Sequence, residues 1–101
     1  LGCGGPILMP DSEVIVLTPI ASHMLTVRPV VIPDKSCIRI KVQSRNGKFV
    51  VSSDSNSFTV NEETALCISK EKFYINLIRL PNQTFSKTLR EKLLWGLDKR
   101  N

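Results

Sequence analysis

The stretch that decides the fold is Cys37–Val60, CIRIKVQSRNGKFVVSSDSNSFTV. Its first eight residues alternate. Ile38, Ile40 and Val42 fall on one face, and Arg39, Lys41 and Gln43 on the other. That period of two belongs to a half-buried β-strand. Asn46-Gly47 follows, a dipeptide suited to a type I′ hairpin turn, in which both central residues need positive φ. KFVVSS (48–53) then reads as the return strand, DSNS (54–57) as another turn, and FTV (58–60) as a further strand.

Outward from there the apolar runs stay short. EVIVLT (13–18) is almost continuously apolar, as a strand covered on both faces would be. PVVI (29–32) closes in the turn PDKS (33–36), and TALCISK (64–70) is another strand. FYINLIRL (73–80) is apolar at several positions on both faces, so it is expected as a central strand. After Pro81 the period changes. Phe85, Leu89 and Leu93 recur at i, i+4 and i+8, the stripe of a helix, with Gly96 as its C-terminal cap. The expected fold is all-β: an antiparallel β-sandwich of six to eight short strands in residues 1–81, with one C-terminal α-helix and tail in 82–101.

Composition narrows the function. The chain has 101 residues, 42% of them hydrophobic, enough for one domain or part of one. No apolar run approaches the ~18 residues of a membrane helix. The start, LGCGGP, has neither Met nor a basic leader, which suggests a fragment of a longer chain. Cys3, Cys37 and Cys67 are too widely spaced for a zinc pattern, and they are expected as buried, reduced thiols of a cytoplasmic protein.

The net charge of +5 is uneven. Residues 1–34 hold one basic and three acidic side chains, and residues 35–101 hold thirteen and six. A basic half attracts anions, but these charges alternate with apolar residues as on the wet face of any strand. A basic β module binding nucleic acid is one alternative, weakened by the scarcity of aromatic residues for base stacking. A purely structural or oligomerisation domain is another.

The catalytic inventory is thin. His23 is the single histidine, and no GxSxG nucleophile elbow is present. It lies in LTPIASHMLTVRP (17–29), where an apolar strand runs into a bend between Pro19 and Pro29. Loops at strand ends are common binding positions. The glycines of LGCGGPI (1–7) let a backbone approach a ligand closely, or simply make a tight turn.

Taken in order, GGPILMP, VIVLTPIASHMLTVRPVVIP, a strand ending VSSDS, and a final helix ending LWGLDKRN resemble the C-terminal part of NAD kinases. The tail is most similar to those of Bacteroidetes. The resemblance covers essentially the whole chain and rests on several motifs in register.

It implies transfer of the γ-phosphoryl of ATP, or of polyphosphate, to the 2′-hydroxyl of the adenosine ribose of NAD, giving NADP. The family's catalytic aspartate lies in a Gly-Gly-Asp-Gly motif that this chain lacks, so the chain alone is expected to be inactive. A divalent metal such as magnesium belongs to the full enzyme. Partners would be NAD, ATP and further copies in a dimer or tetramer, with neither nucleic acid nor membrane.

Carried onto this sequence, the NAD-binding positions are Gly2, Gly4, Gly5, Ala21, His23 and Asp54. No catalytic or metal-binding residue is expected within the chain. His23 would position the ligand rather than act as base. Ser22 stands where many relatives have proline, and Ser55 where a glycine usually follows the turn aspartate. The C-terminal helix is expected to pack on the enzyme's N-terminal domain.

Overall fold

The computed structural model describes residues 4–20, 23 and 26–96. Six strands and one helix follow in order: β1 (Val14–Leu17), β2 (Val30–Pro33), β3 (Ile38–Ile40), β4 (Lys48–Ser53), β5 (Asn56–Asn61), β6 (Leu66–Ile68) and α1 (Phe85–Lys92). Every strand pair is antiparallel, and the all-β class with a single C-terminal helix is as expected. The strands form three two-stranded ladders, β1–β2, β3–β6 and β4–β5.

The β1–β2 ladder pairs Val14 with Pro33 and Leu17 with Val30. It begins where the apolar run does and ends just before Thr18-Pro19. There a proline cannot supply the next ladder N–H. Glu13 extends the pairing by one bond, its carbonyl accepting from Asp34 N–H at 3.0 Å.

The β3–β6 ladder sets Ile38 opposite Ile68 and Ile40 opposite Leu66, with Arg39 opposite Cys67 on the other face. Exposure alternates residue by residue from Cys37 to Ser44, as period two predicts. Lys70 and Asp34 close an ion pair between the same two chain segments.

Two turns differ from expectation. Asn46-Gly47 does turn the chain, but β3 and β4 do not pair with each other. Gly47 has φ +68°, while Asn46 is absent from the left-handed region, so the type I′ condition fails. Instead Gly47 N–H reaches the Ser44 carbonyl at 3.3 Å and Asn46 N–H reaches Ser44 Oγ, a turn with glycine in its last place. The tight hairpin is β4–β5. There Ser53 faces Asn56 across the two-residue turn Asp54-Ser55, and Asp54 takes the positive φ, +50°.

FYINLIRL is not a strand. Residues 74–80 carry no regular structure, and among the described residues no strand pairs with them. Their apolar side chains stand in solvent: Ile75 is 81% exposed, Leu77 87% and Ile78 95%. No described side chain anywhere is fully buried.

Helix α1 starts at Thr84, whose hydroxyl accepts from Lys87 N–H at 3.2 Å. It ends sooner than Gly96: Leu93 is the C-cap, and Leu94 follows with φ +54°. Phe85 and Leu89 of the stripe are half-buried, and Leu93 and Trp95 exposed.

The chain divides into two compact units. One comprises Leu1–Ile7 and Glu13–Lys72, and holds all three ladders; the other comprises Leu8–Ser12 and Phe73–Asn101, and holds α1.

Candidate functional site

Two neighbouring glycines are required for different reasons. Gly4 has φ +76°, the left-handed region that glycine enters without steric cost. A Cβ there would meet nothing within 4 Å, so its backbone faces open space. Gly5 is half-buried, and a Cβ on it would lie 2.9 Å from Thr18 Oγ1 and 3.7 Å from Thr18 Cγ2. Gly5 is therefore glycine because Thr18 packs against it. That contact joins Gly-Gly-Pro to Thr-Pro-Ile, two motifs thirteen residues apart in the sequence.

β1 fixes Thr18. The strand's four residues are all half-buried, and the chain leaves the ladder at Leu17, placing Thr18 at the strand end beside Gly5. The connection from Thr18 to Pro29 then carries His23 before β2 returns. His23 is exposed. Asp54 is also exposed, at the tip of the β4–β5 hairpin. Neither is hydrogen-bonded to Gly4 or Gly5 among the described residues, so the structure brings Gly4, Gly5 and Thr18 together and leaves His23 and Asp54 on separate connections. Gly2 and Ala21 lie outside the described residues.

Thr18, which packs on Gly5, is not singled out by the sequence reading. Its signal was a β-branched hydroxyl residue between a buried strand and a proline.

The cysteines correct a second expectation. Cys37 and Cys67 are free and exposed, not buried. Each lies on the solvent side of its segment, where the apolar neighbours that suggested burial turn to the opposite face.

Among the described residues no group of three or more His, Cys, Asp or Glu side chains is placed to hold a metal ion. A concavity of about 610 Å³ lies along α1 against Ser86, Lys87, Arg90, Glu91 and Leu94, and contains none of the expected NAD-binding positions. Among the described residues no helix is long and apolar enough to cross a membrane.

Comparison with known proteins gives the motifs a family. A family model described as ATP-NAD kinase C-terminal domain matches residues 1–80. A Flavobacterium psychrophilum protein named NAD kinase is 52% identical over all of this chain and 34% of its own length. The NAD kinase of Flavobacterium johnsoniae matches at the same identity and coverage. That of Bacteroides fragilis is 43% identical over 99% of this chain and 34% of its own length. The chain spans about a third of the curated relatives it matches. With four-fifths of its residues matched by the model, the chain belongs to the ATP-NAD kinase C-terminal domain family.

Proposed function

We propose that this chain is the distal part of an NAD kinase, and that it supplies part of the surface on which NAD lies. The reaction moves the γ-phosphoryl of ATP or polyphosphate to the 2′-hydroxyl of the adenosine ribose. The observation that carries this reading is the Gly4–Gly5–Thr18 arrangement, supported by family membership. Gly4 offers backbone to open space, and Gly5 against Thr18 holds that backbone at the end of β1. A backbone so presented accepts a close ligand without side-chain interference.

His23 and Asp54 would approach the dinucleotide from their own connections, His23 as a positioning group. Phosphoryl transfer depends on in-line positioning and charge stabilisation. The group that orients the ribose hydroxyl, and the divalent cation's ligands, are assigned to the remaining two-thirds of the enzyme. That enzyme is a cytoplasmic homo-oligomer in this reading.

Residues 73–80 support incompleteness independently. Six large apolar side chains, Phe73, Tyr74, Ile75, Leu77, Ile78 and Leu80, are each at least 64% exposed. Burying each would contribute about 1.5–3 kcal/mol. Together that rivals the ~5–15 kcal/mol net stability of a whole domain. A segment of this kind, and the helix stripe after it, pack on the rest of the enzyme.

The test uses the full-length protein with NAD and ATP, then with polyphosphate, following NADP. Gly5→Ala and His23→Ala are expected to raise KM for NAD more than they lower kcat. Failure of the unmodified protein to form NADP with either donor would overturn the proposal.

A further inference from the structure

Arg39 of β3 faces Cys67 of β6 across the ladder. Cys37 precedes Arg39 by two residues, and so shares its face. The alternation of exposure supports this: Cys37 and Arg39 are exposed while Ile38 and Ile40 are half-buried. Cys37 and Cys67 are thus diagonal neighbours on the solvent side of one ladder, both with free thiols. The ladder holds three rungs, and the Lys70–Asp34 ion pair ties the same two segments beyond Cys37.

Diagonal Cα atoms on such a ladder lie about 7–8 Å apart, with Cβ atoms somewhat closer. A disulfide wants Cβ atoms about 3.5–4.5 Å apart, so direct oxidation would need the backbone to shift. A single ion held between two sulfurs spans a wider gap. Zinc in a structural site takes four ligands, and no third or fourth ligand is grouped here among the described residues. Thiolates select soft ions such as Cu(I).

We propose that Cys37 and Cys67 form a two-thiolate site for a soft monovalent cation, of which Cu(I) is the probe, bridging β3 and β6. Each thiol gives up its proton to the solvent as its sulfur coordinates, so one ion releases two protons. Two thiolates and one monovalent cation leave a net charge of −1. The Arg39 guanidinium on the same face offsets it. The site is separate from Gly4, Gly5 and Thr18, and does not depend on the NAD kinase reading.

The experiment titrates the full-length, fully reduced protein with Cu(I) under anaerobic conditions against a chromophoric Cu(I) chelator. Cys37→Ser, Cys67→Ser and Cys3→Ser variants are compared with the unmodified protein. The second thiolate acts at high effective concentration once the first is bound. Cys37→Ser and Cys67→Ser should therefore each weaken the site about a hundredfold or more, while Cys3→Ser leaves it unchanged. One equivalent of Cu(I) should also shield both cysteines of the unmodified protein from maleimide together, a readout that needs no variant. Unchanged affinity in either Cys37→Ser or Cys67→Ser, or independent labelling of the two thiols at one equivalent, would overturn the proposal.

Discussion

At the scale of single residues, the most consequential contact is one that a side chain would destroy. Gly5 does not take a left-handed φ, yet a Cβ on it would come within 2.9 Å of Thr18 Oγ1. Thr18 is short and β-branched, so it has few rotamers with which to retreat. Gly5→Ala is therefore expected to destabilise the full-length protein by about 1–3 kcal/mol, the usual cost of overpacking. Thr18→Ala in the same protein should recover much of that loss, because it removes the opposing atoms. A double-mutant cycle by chemical denaturation measures the coupling. A coupling near zero would mean that the two motifs do not touch. The Gly-Gly and Thr-Pro motifs were legible separately, but the contact between them was not. No local pattern says that residues thirteen apart meet; that depends on where β1 ends. His23 was legible as a loop residue and is one, exposed between β1 and β2.

Among elements, strand positions were the readable part and pairings were not. β4 was bounded from the sequence as 48–53, and β1 and β2 lie within a residue or so of their apolar runs. Alternation identified the half-buried face of β3, since period two is a local property. Pairing is non-local. The Asn-Gly signal suggested β3 with β4, whereas β3 joins β6 across 25 intervening residues, from 41 to 65. The hairpin forms instead at Asp54-Ser55, where the strands on both sides are six residues long and Ser52 Oγ meets Ser57 Oγ at 2.8 Å. The helix was legible by its stripe, but its end was not, because Leu94 takes the left-handed φ before Gly96 is reached. Its start rests on Thr84. Thr84→Ala removes the hydroxyl that accepts from Lys87 N–H and is expected to cost about 1 kcal/mol. Thr84→Asn, which keeps a capping oxygen, should cost little. Thermal unfolding of the full-length protein checks both, and equal losses in the two variants would show that the cap is not what starts the helix.

For the whole molecule, the sequence pattern calls for a central strand at 73–80, and among the described residues no strand pairs with it. The pattern was readable because the segment is apolar on both sides; its partner was not, because no described strand pairs with it. Leu77 and Ile78 are adjacent, so in an extended segment they point to opposite faces, and both are among the most exposed side chains described. If the remainder of the enzyme covers both faces, an aspartate at either position buries an unpaired charge or carboxyl. Leu77→Asp and Ile78→Asp are then each expected to destabilise the full-length protein by about 3 kcal/mol or more, in the range reserved for buried lesions. Ser55→Asp, in the exposed hairpin turn, should stay within about 0.5 kcal/mol of the unmodified protein. A large loss at Leu77 with none at Ile78, or the reverse, would place the segment at the surface of a sheet with one face wet. Unchanged melting for both would leave eight apolar-rich residues in water in the assembled enzyme. Packing of this segment on the proposed remainder of the enzyme would then be ruled out.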